Sequence, residues 1–359
     1  MSRLLAPKLA ALGWDEQLRG EFEAISQPGT EPGRVVGEHR GGYRVATAGA
    51  EMIAETSGKL RYEALGRADY PVVGDWVAVQ GPAIQAVLAR RSLFQRQDPG
   101  GGEQLLAANV DIAFLVTSLN RDFNLRRLER YLAMTWSSGA QPVVLLSKAD
   151  LAEDLDGPVA EVERVAAGVP IIAVSATHAV GLDLVRAHLV PGRTAVFLGS
   201  SGVGKSTLIN ALAGRPLQAV REIRANDARG RHTTTGRQLI TLPNGWLVID
   251  TPGLRGIGLT DADVDAGLDR AFADIDTLAT DCRFSDCGHE GEPGCAVQAA
   301  IHEGRLGPDR LASHRKLQRE AARSTLAMDR GARAANRARW RAIQKAVNVH
   351  QDRKDGADR

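Results

Sequence analysis

The chain has 359 residues, 43% hydrophobic and 25% charged, which is more than one core usually organises and too apolar for global disorder. No uncharged apolar run of about 18 residues occurs, which argues against a membrane helix, and the N-terminal stretch is too short in apolar run and too soon acidic for a secretory signal, so a cytoplasmic protein is expected. The net charge of +2 conceals an uneven distribution: Arg310 to Lys354 carry 13 basic and 3 acidic residues while residues 1–309 sum to −7, an acidic body with a basic tail suited to a polyanionic partner.

In chain order, residues 1–34 carry scattered Gly and Pro and read as a flexible lead-in. Residues 35–93 hold five short strand-like pieces separated by turn signals such as Gly41-Gly42, Ser57-Gly58 and Gly81-Pro82. That pattern suits a small antiparallel barrel, either a β-rich packing module or a nucleic-acid-binding barrel. Residues 94–108, with Asp98-Pro99-Gly100-Gly101-Gly102, read as a linker. Over 109–258 short apolar runs ending in small or polar residues alternate with helical segments. This predicts an α/β layer with a largely parallel sheet, whose ligands bind at the C-terminal ends of the strands. Residues 259–359 turn helical, pass a Cys/His cluster and end in the basic segment.

The sharpest motif is Gly199-Ser200-Ser201-Gly202-Val203-Gly204-Lys205-Ser206-Thr207, set between a strand and a helix. It matches the phosphate loop, in which glycines let backbone N–H groups curl around a β-phosphate at a helix N-terminus. Lys205 would bridge the β- and γ-phosphates and the Ser206 hydroxyl would hold Mg²⁺. Asp250-Thr251-Pro252-Gly253 follows a further strand. There Asp250 would bind Mg²⁺ through water and the Gly253 N–H would meet the γ-phosphate. Between the two motifs lie Thr233, Thr234 and Thr235, candidates for the hydroxyl that completes the metal shell; spacing does not choose among them.

Two other strands end in Ser147-Lys148-Ala149-Asp150 and Ser175-Ala176-Thr177, similar to the guanine-specificity motifs NKxD and SA[KL] of GTPases. The Asp150 carboxylate would accept from guanine N1–H and N2–H₂, donors that adenine lacks. Lys148 would cover the base face and the Ala176 N–H would reach O6. Ser147 stands where Asn is usual, so its tethering bond is weaker or differently made. GTPases normally run phosphate loop, switch Thr, DxxG, NKxD, SAK; here the last two come first. A parallel sheet tolerates joining the old ends and cutting elsewhere, and whatever follows Gly253 is then coupled covalently to the element that senses γ-phosphate.

The three cysteines, Cys282, Cys287 and Cys295, cluster with His289. Three thiolates and an imidazole complete a tetrahedral Zn²⁺ with no open position, so one structural metal per chain is expected in preference to buried free thiols. Asp281, Asp286 and Glu290 are expected on the loop surface.

The permuted order, the barrel before it and the cluster after it resemble the ribosome small subunit-dependent GTPase A family. The resemblance runs over about Val35 to Arg310 and is most specific at 147–150, 199–207, 250–253 and 282–295. It implies an N-terminal OB-fold β-barrel, a central α/β P-loop GTPase domain in circularly permuted order and a C-terminal helical zinc-binding domain. It also implies a role in late maturation of the 30S subunit, with binding to 16S rRNA and GTP hydrolysis to GDP stimulated by that subunit. A monomer is expected.

Leu254 occupies the place where Ras-like enzymes carry a water-orienting Gln, so intrinsic turnover should be slow. His232 is the candidate to complete the site. Arg221, Arg224, Arg229 and Arg231 crowd the same stretch, and Trp340 sits among Arg337, Arg339 and Arg341. The four arginines would meet rRNA phosphate or γ-phosphate charge, or be solvated; the basic segment around Trp340 suits RNA phosphate and base stacking or, equally on composition, a solvated helix face, and the acidic body favours RNA. The rivals to a ribosome-bound GTPase are another P-loop ATPase or kinase, and a non-catalytic nucleotide-gated RNA-binding module.

Overall fold

The computed structural model describes residues 7–39, 41–97, 103–120, 122–216, 237–250 and 265–322. The first of these are not a loose lead-in. Helices α1 (Pro7–Ala11) and α2 (Glu16–Ile25) form there, α2 capped by Asp15, whose carboxylate accepts the Leu18 N–H. Leu9, Trp14 and Leu18 are buried against Trp76 and Leu88, with the rings of Trp14 and Trp76 4.9 Å apart, edge to face. Leu18 and Phe22, one helical turn apart, carry α2 into this cluster despite the neighbouring Gly and Pro.

Strands β1 (Glu31–His39), β2 (Gly42–Thr47), β3 (Glu51–Thr56), β4 (Trp76–Gln80) and β5 (Ala83–Val87), with α3 (Gly58–Glu63) after β3, build the barrel. The order β1-β2-β3-β5-β4 closes where β4 returns to β1. Alternation sends Val35, Val45, Ala54, Val77, Val79 and Ile84 inward. A register shift in β1 between Val35 and Gly37 divides its duties. Glu31–Arg34 pair with β4, whereas Gly37 pairs with Gln238 of the next domain's edge strand.

The expected linker is partly ordered structure. β6 (Leu93–Gln97) and β7 (Glu103–Ala108) pair as an antiparallel ribbon, burying Phe94, Leu105 and Leu106.

The α/β layer follows with β8 (Ile112–Ser118), α4 (Leu125–Ser138), β9 (Gln141–Ser147), α5 (Asp156–Val165), β10 (Ile171–Val174), α6 (Leu182–His188), β11 (Thr194–Leu198), α7 (Lys205–Ala213), β12 (Gln238–Thr241) and β13 (Leu247–Asp250). The order is β10-β9-β8-β11-β13-β12, parallel except for β12. Apolar clusters cover both faces, which is why its strands read as continuous apolar runs. Register aligns the strand ends, with Ser118 and Val174 both beside Ser147, and Leu198 beside Leu115. The segments leaving β8, β9, β10 and β11 therefore share one rim, where β13 also ends at Asp250.

The C-terminal part comprises α8 (Asp265–Ala271), α9 (Ala273–Ala279), the Cys/His loop, α10 (Ala296–His302) and α11 (308–322). Its core of Leu268, Phe272, Ile275, Val297, Leu311 and Leu317 takes in Ala133, with Trp136 packed against it, so α4 belongs to two cores. Among the described residues no helix is long and apolar enough to cross a membrane.

Candidate nucleotide site and metal centre

The glycine-rich turn from Gly199 to Gly204 joins β11 to α7. Gly199 has φ +153°, and a Cβ there would lie 2.4 Å from the Val116 carbonyl oxygen; Gly204, at φ +98°, is the left-handed residue that starts α7. Neither position accepts a side chain without strain. Val203 and Lys205 are buried, and Ser201 and Gly202 exposed. The Lys205 ammonium donates to the Gly199 and Ser200 carbonyl oxygens at 2.6 Å each. Ser206 and Thr207 lie in the first turn of α7, and Asp250 ends β13, opposite Gln238 of β12.

Ser147 is buried, and its hydroxyl donates to the Val203 carbonyl oxygen at 2.6 Å. The tether is thus made directly, by a shorter side chain than Asn. Lys148 adopts a left-handed conformation (φ +59°), and Ala149 and Asp150 begin a 3₁₀ turn. Asp150 meets the β10 end: its carboxyl is held below the usual carboxylate range, chiefly by a hydrogen bond from Ser175 and further by nearby positive charge, Lys148 included. His178 Nδ1 stands 3.6 Å from Asp150 Oδ2 and 3.1 Å from Thr177 Oγ1. The structure therefore brings together residues 147–150, 175–178 and 199–206. Ala176, which follows Ser175 on this rim, is half-buried.

A second polar cluster joins the start of β11, the end away from the rim, to the barrel. Arg34, fully buried, donates to Thr194 Oγ1 at 2.7 Å, to the Gly74 and Asn109 carbonyls and to Leu12, and lies over the Trp76 ring. Burial lowers its pKa to about 10, so it stays charged at neutral pH. Thr194 opens the strand that ends in the glycine-rich turn, so the barrel grips that strand from behind.

In the C-terminal part the ligand atoms of Cys282, Cys287, His289 and Cys295 all lie within 4.8 Å of one another. Cys282 Sγ to Cys295 Sγ is 4.0 Å, and His289 Nδ1 lies 3.6 and 3.5 Å from those two sulfurs. A tetrahedron with zinc–sulfur bonds of about 2.3 Å has edges of about 3.8 Å, so the donor set fits zinc. Cys295 also caps α10 by accepting the Gln298 N–H, and Gln298 in turn donates to the His289 carbonyl. Glu292 is not aimed at the cluster; its carboxylate accepts the Gly288 and Gly291 N–H groups.

Comparison with known proteins decides the family. Residues 87–260 match the model of the RsgA GTPase family. A protein of Opitutus terrae named small ribosomal subunit biogenesis GTPase RsgA is 46% identical over 96% of this chain and 98% of its own. A protein of the same name from Streptomyces coelicolor is 46% identical over 94% of each. The chain belongs to the RsgA GTPase family. Its activity is accordingly GTP hydrolysis. The crystal structure of YjeQ from Thermotoga maritima is similar with a TM-score of 0.59 at 26% identity, covering 82% of this chain and 99% of that one. That of YloQ, a circularly permuted GTPase, has a TM-score of 0.56 at 23% identity over 83% and 97%, and bears on the fold.

For this RsgA-family chain His232, Thr233, Thr234, Thr235, Gly253, Leu254 and the switch arginines lie outside the described residues, as does the basic segment beyond residue 322. Sequence reading missed Asp122 and Arg127, which touch the glycine-rich turn from the β8–α4 loop and the first turn of α4. Their only signal was the polar end of the β8 run, the same signal that marked the other strand ends.

Proposed function

We propose that this chain is a GTPase of small ribosomal subunit biogenesis. It binds GTP at the rim of the α/β sheet, hydrolyses it to GDP and phosphate, and does so faster on the 30S subunit, whose 16S rRNA it contacts. The observation that carries the reading is the convergence of the 147–150, 175–177 and 199–207 segments, with the 2.6 Å Ser147–Val203 bond between them. The relatives' names support the ribosomal partner, and the excess of 13 basic over 3 acidic residues from Arg310 to Lys354 supports an RNA contact.

In this reading Gly199 to Thr207 cradle the phosphates, Lys205 neutralises the β- and γ-oxygens, and Asp150, Lys148, Ala149, Ser175 and Ala176 take the guanine. Ser206, Asp250 and one of Thr233, Thr234 and Thr235 would hold the Mg²⁺ that accompanies GTP, and this ion supplies positive charge to the β- and γ-phosphates. The Gly253 N–H would face the γ-phosphate. Leu254 has no group to orient water, so His232 is assigned that task once the subunit is bound. A single structural zinc would be held by Cys282, Cys287, His289 and Cys295. The divisions 35–93, 109–258 and 259–359 act as barrel, GTPase and zinc-binding units of a cytoplasmic monomer.

The test is single-turnover GTP cleavage with and without 30S subunits, paired with sedimentation in a non-hydrolysable GTP analogue. Expected are co-sedimentation with small and not large subunits, stimulated cleavage in the wild type, and loss of stimulation with retained GTP binding in His232→Ala. Equal competition by ATP would point to another P-loop enzyme. No cleavage under either condition would point to a nucleotide-gated binding module.

A further inference from the structure

The described residues of the β8–α4 loop are linked to one another and to α4 by side-chain hydrogen bonds. Ser118, fully buried at the close of β8, donates to Asn120 Oδ1 at 2.8 Å, and the same oxygen accepts the Asp122 N–H at 3.0 Å. Asn124 caps α4 by accepting the Arg127 N–H at 2.9 Å. The two bonds set Asp122 and Arg127 facing each other across the glycine-rich turn. Arg127 Nη1 donates to Asp122 Oδ1 at 2.8 Å and to Ser200 Oγ at 2.9 Å, while the Ser200 hydroxyl donates to Asp122 Oδ2. One hydroxyl thus accepts from the cation and donates to the anion, closing a three-membered ring. Burial raises the Asp122 carboxyl, but the bonds from Ser200 and Arg127 and the charges of Arg127 and Lys148 outweigh it, leaving it below its ordinary value. Asp122 is therefore ionised at neutral pH.

The turn needs such a hold. Gly199, Gly202 and Gly204 all have positive φ, and glycine gives up more conformational freedom on ordering than any other residue. Two attachments at its start come from Lys205, through the Gly199 and Ser200 carbonyls, but that ammonium is the group that neutralises phosphate when nucleotide binds. Among the described residues, the Ser147 tether at Val203 and the ring at Ser200 are attachments that do not depend on that ammonium. We infer that Arg127 is a positioning residue for the phosphate loop, acting through the Ser200 hydroxyl, with Asp122 holding its guanidinium in place. The inference rests on the nucleotide reading of residues 199–207 and extends it to two residues outside every motif. Arg127 and Asp122 are each 34% exposed, so the pair alone would add little to stability; its effect falls on the shape of the turn.

The experiment titrates the full-length chain with a fluorescent GDP and follows melting of the nucleotide-free protein. A hydrogen bond to a charged group is worth about tenfold in affinity. Arg127→Ala and Ser200→Ala are each expected to weaken GDP binding by about tenfold. The double variant should bind no more weakly than the worse single, because one route serves both. Arg127→Lys should recover part of the loss, and all four should melt within about 2 °C of the wild type. Wild-type affinity in Arg127→Ala, or an Arg127→Ala loss that persists undiminished on the Ser200→Ala background, overturns the proposal. Should Arg127→Ala melt early, Asp122→Asn decides: weakened GDP binding supports the ring and wild-type binding overturns it. Lys205→Ala separates the underlying reading. If it binds GDP as tightly as the wild type, the turn is not a phosphate loop and the error lies there.

Discussion

A hydroxyl at position 147 reaches the phosphate loop because β9 delivers it against Val203, both residues being almost completely buried. In so dry a place the Val203 carbonyl has few alternatives to this donor, and an unmet buried acceptor costs about 1–3 kcal/mol. Ser147→Ala is therefore expected to weaken GDP and GTP equally, by about tenfold, since the tether acts on the turn and on neither the base nor the γ-phosphate. Equilibrium titration with both nucleotides checks it; a loss confined to GTP would contradict the assignment. Residue type alone left two outcomes open for Ser147, a weaker bond or a different one, because the partner atom is 56 positions away in the chain. Separations of 78 and 73 positions from Ser200 hid Asp122 and Arg127. Motif spacing reports what lies next to a glycine-rich turn in sequence, whereas these two arrive from the end of a neighbouring strand.

At the scale of elements, two helices cross without room between them. Gly267 of α8 lies so near α4 that a Cβ would stand 1.9 Å from the Ala133 carbonyl oxygen and 2.4 Å from Ser137 Oγ. The contact is backbone on backbone, so no rotamer change relieves it. Gly267→Ala must push α8 off α4, at a cost no smaller than the 1–3 kcal/mol typical of an overpacked core. A lowered midpoint in urea with unchanged GDP affinity is the expected result, and an unchanged midpoint would show that α8 sits otherwise. The strands were readable from their apolar runs, since alternation in the barrel and double-sided burial in the sheet each leave a pattern. The lead-in and linker were not. Leu18 and Phe22 stand one helical turn apart in α2, with Leu9 and Trp14 among Gly and Pro beside them, and Phe94 and Leu105 flank a Gly/Pro-rich stretch, so turn signals masked short elements whose apolar residues are satisfied only by tertiary partners.

Across the whole molecule, α4 is held at both ends of its first two turns. Arg127 faces the phosphate loop, while Arg126, Glu129 and Arg130 pair with Asp309, Arg310 and Glu320 of the C-terminal part. The buried member is decisive. Glu129 has 3% of its side chain exposed, and Arg310 meets it at 2.9 Å, binds Asp274 at 2.6 and 2.8 Å, and covers the Phe272 ring. Removing one partner of a buried pair strands the other charge, at about 3–5 kcal/mol, whereas replacing both by apolar groups is often neutral. Arg310→Met is therefore expected to lower the melting temperature by roughly 10 °C, and Glu129→Met with Arg310→Met to recover most of it. Burial already raises the Glu129 carboxyl above its ordinary value in the presence of Arg310, and without the guanidinium it must rise further. A carboxyl raised in the folded state contributes stability that is present below its unfolded value and lost as pH rises through the folded one. The Arg310→Met deficit should thus shrink as pH falls from 7 toward 5, because protonation discharges the stranded Glu129, while the double variant shows no such slope. A deficit independent of pH would mean that lost packing on Phe272, and not the uncompensated carboxylate, fixes how the C-terminal part is docked.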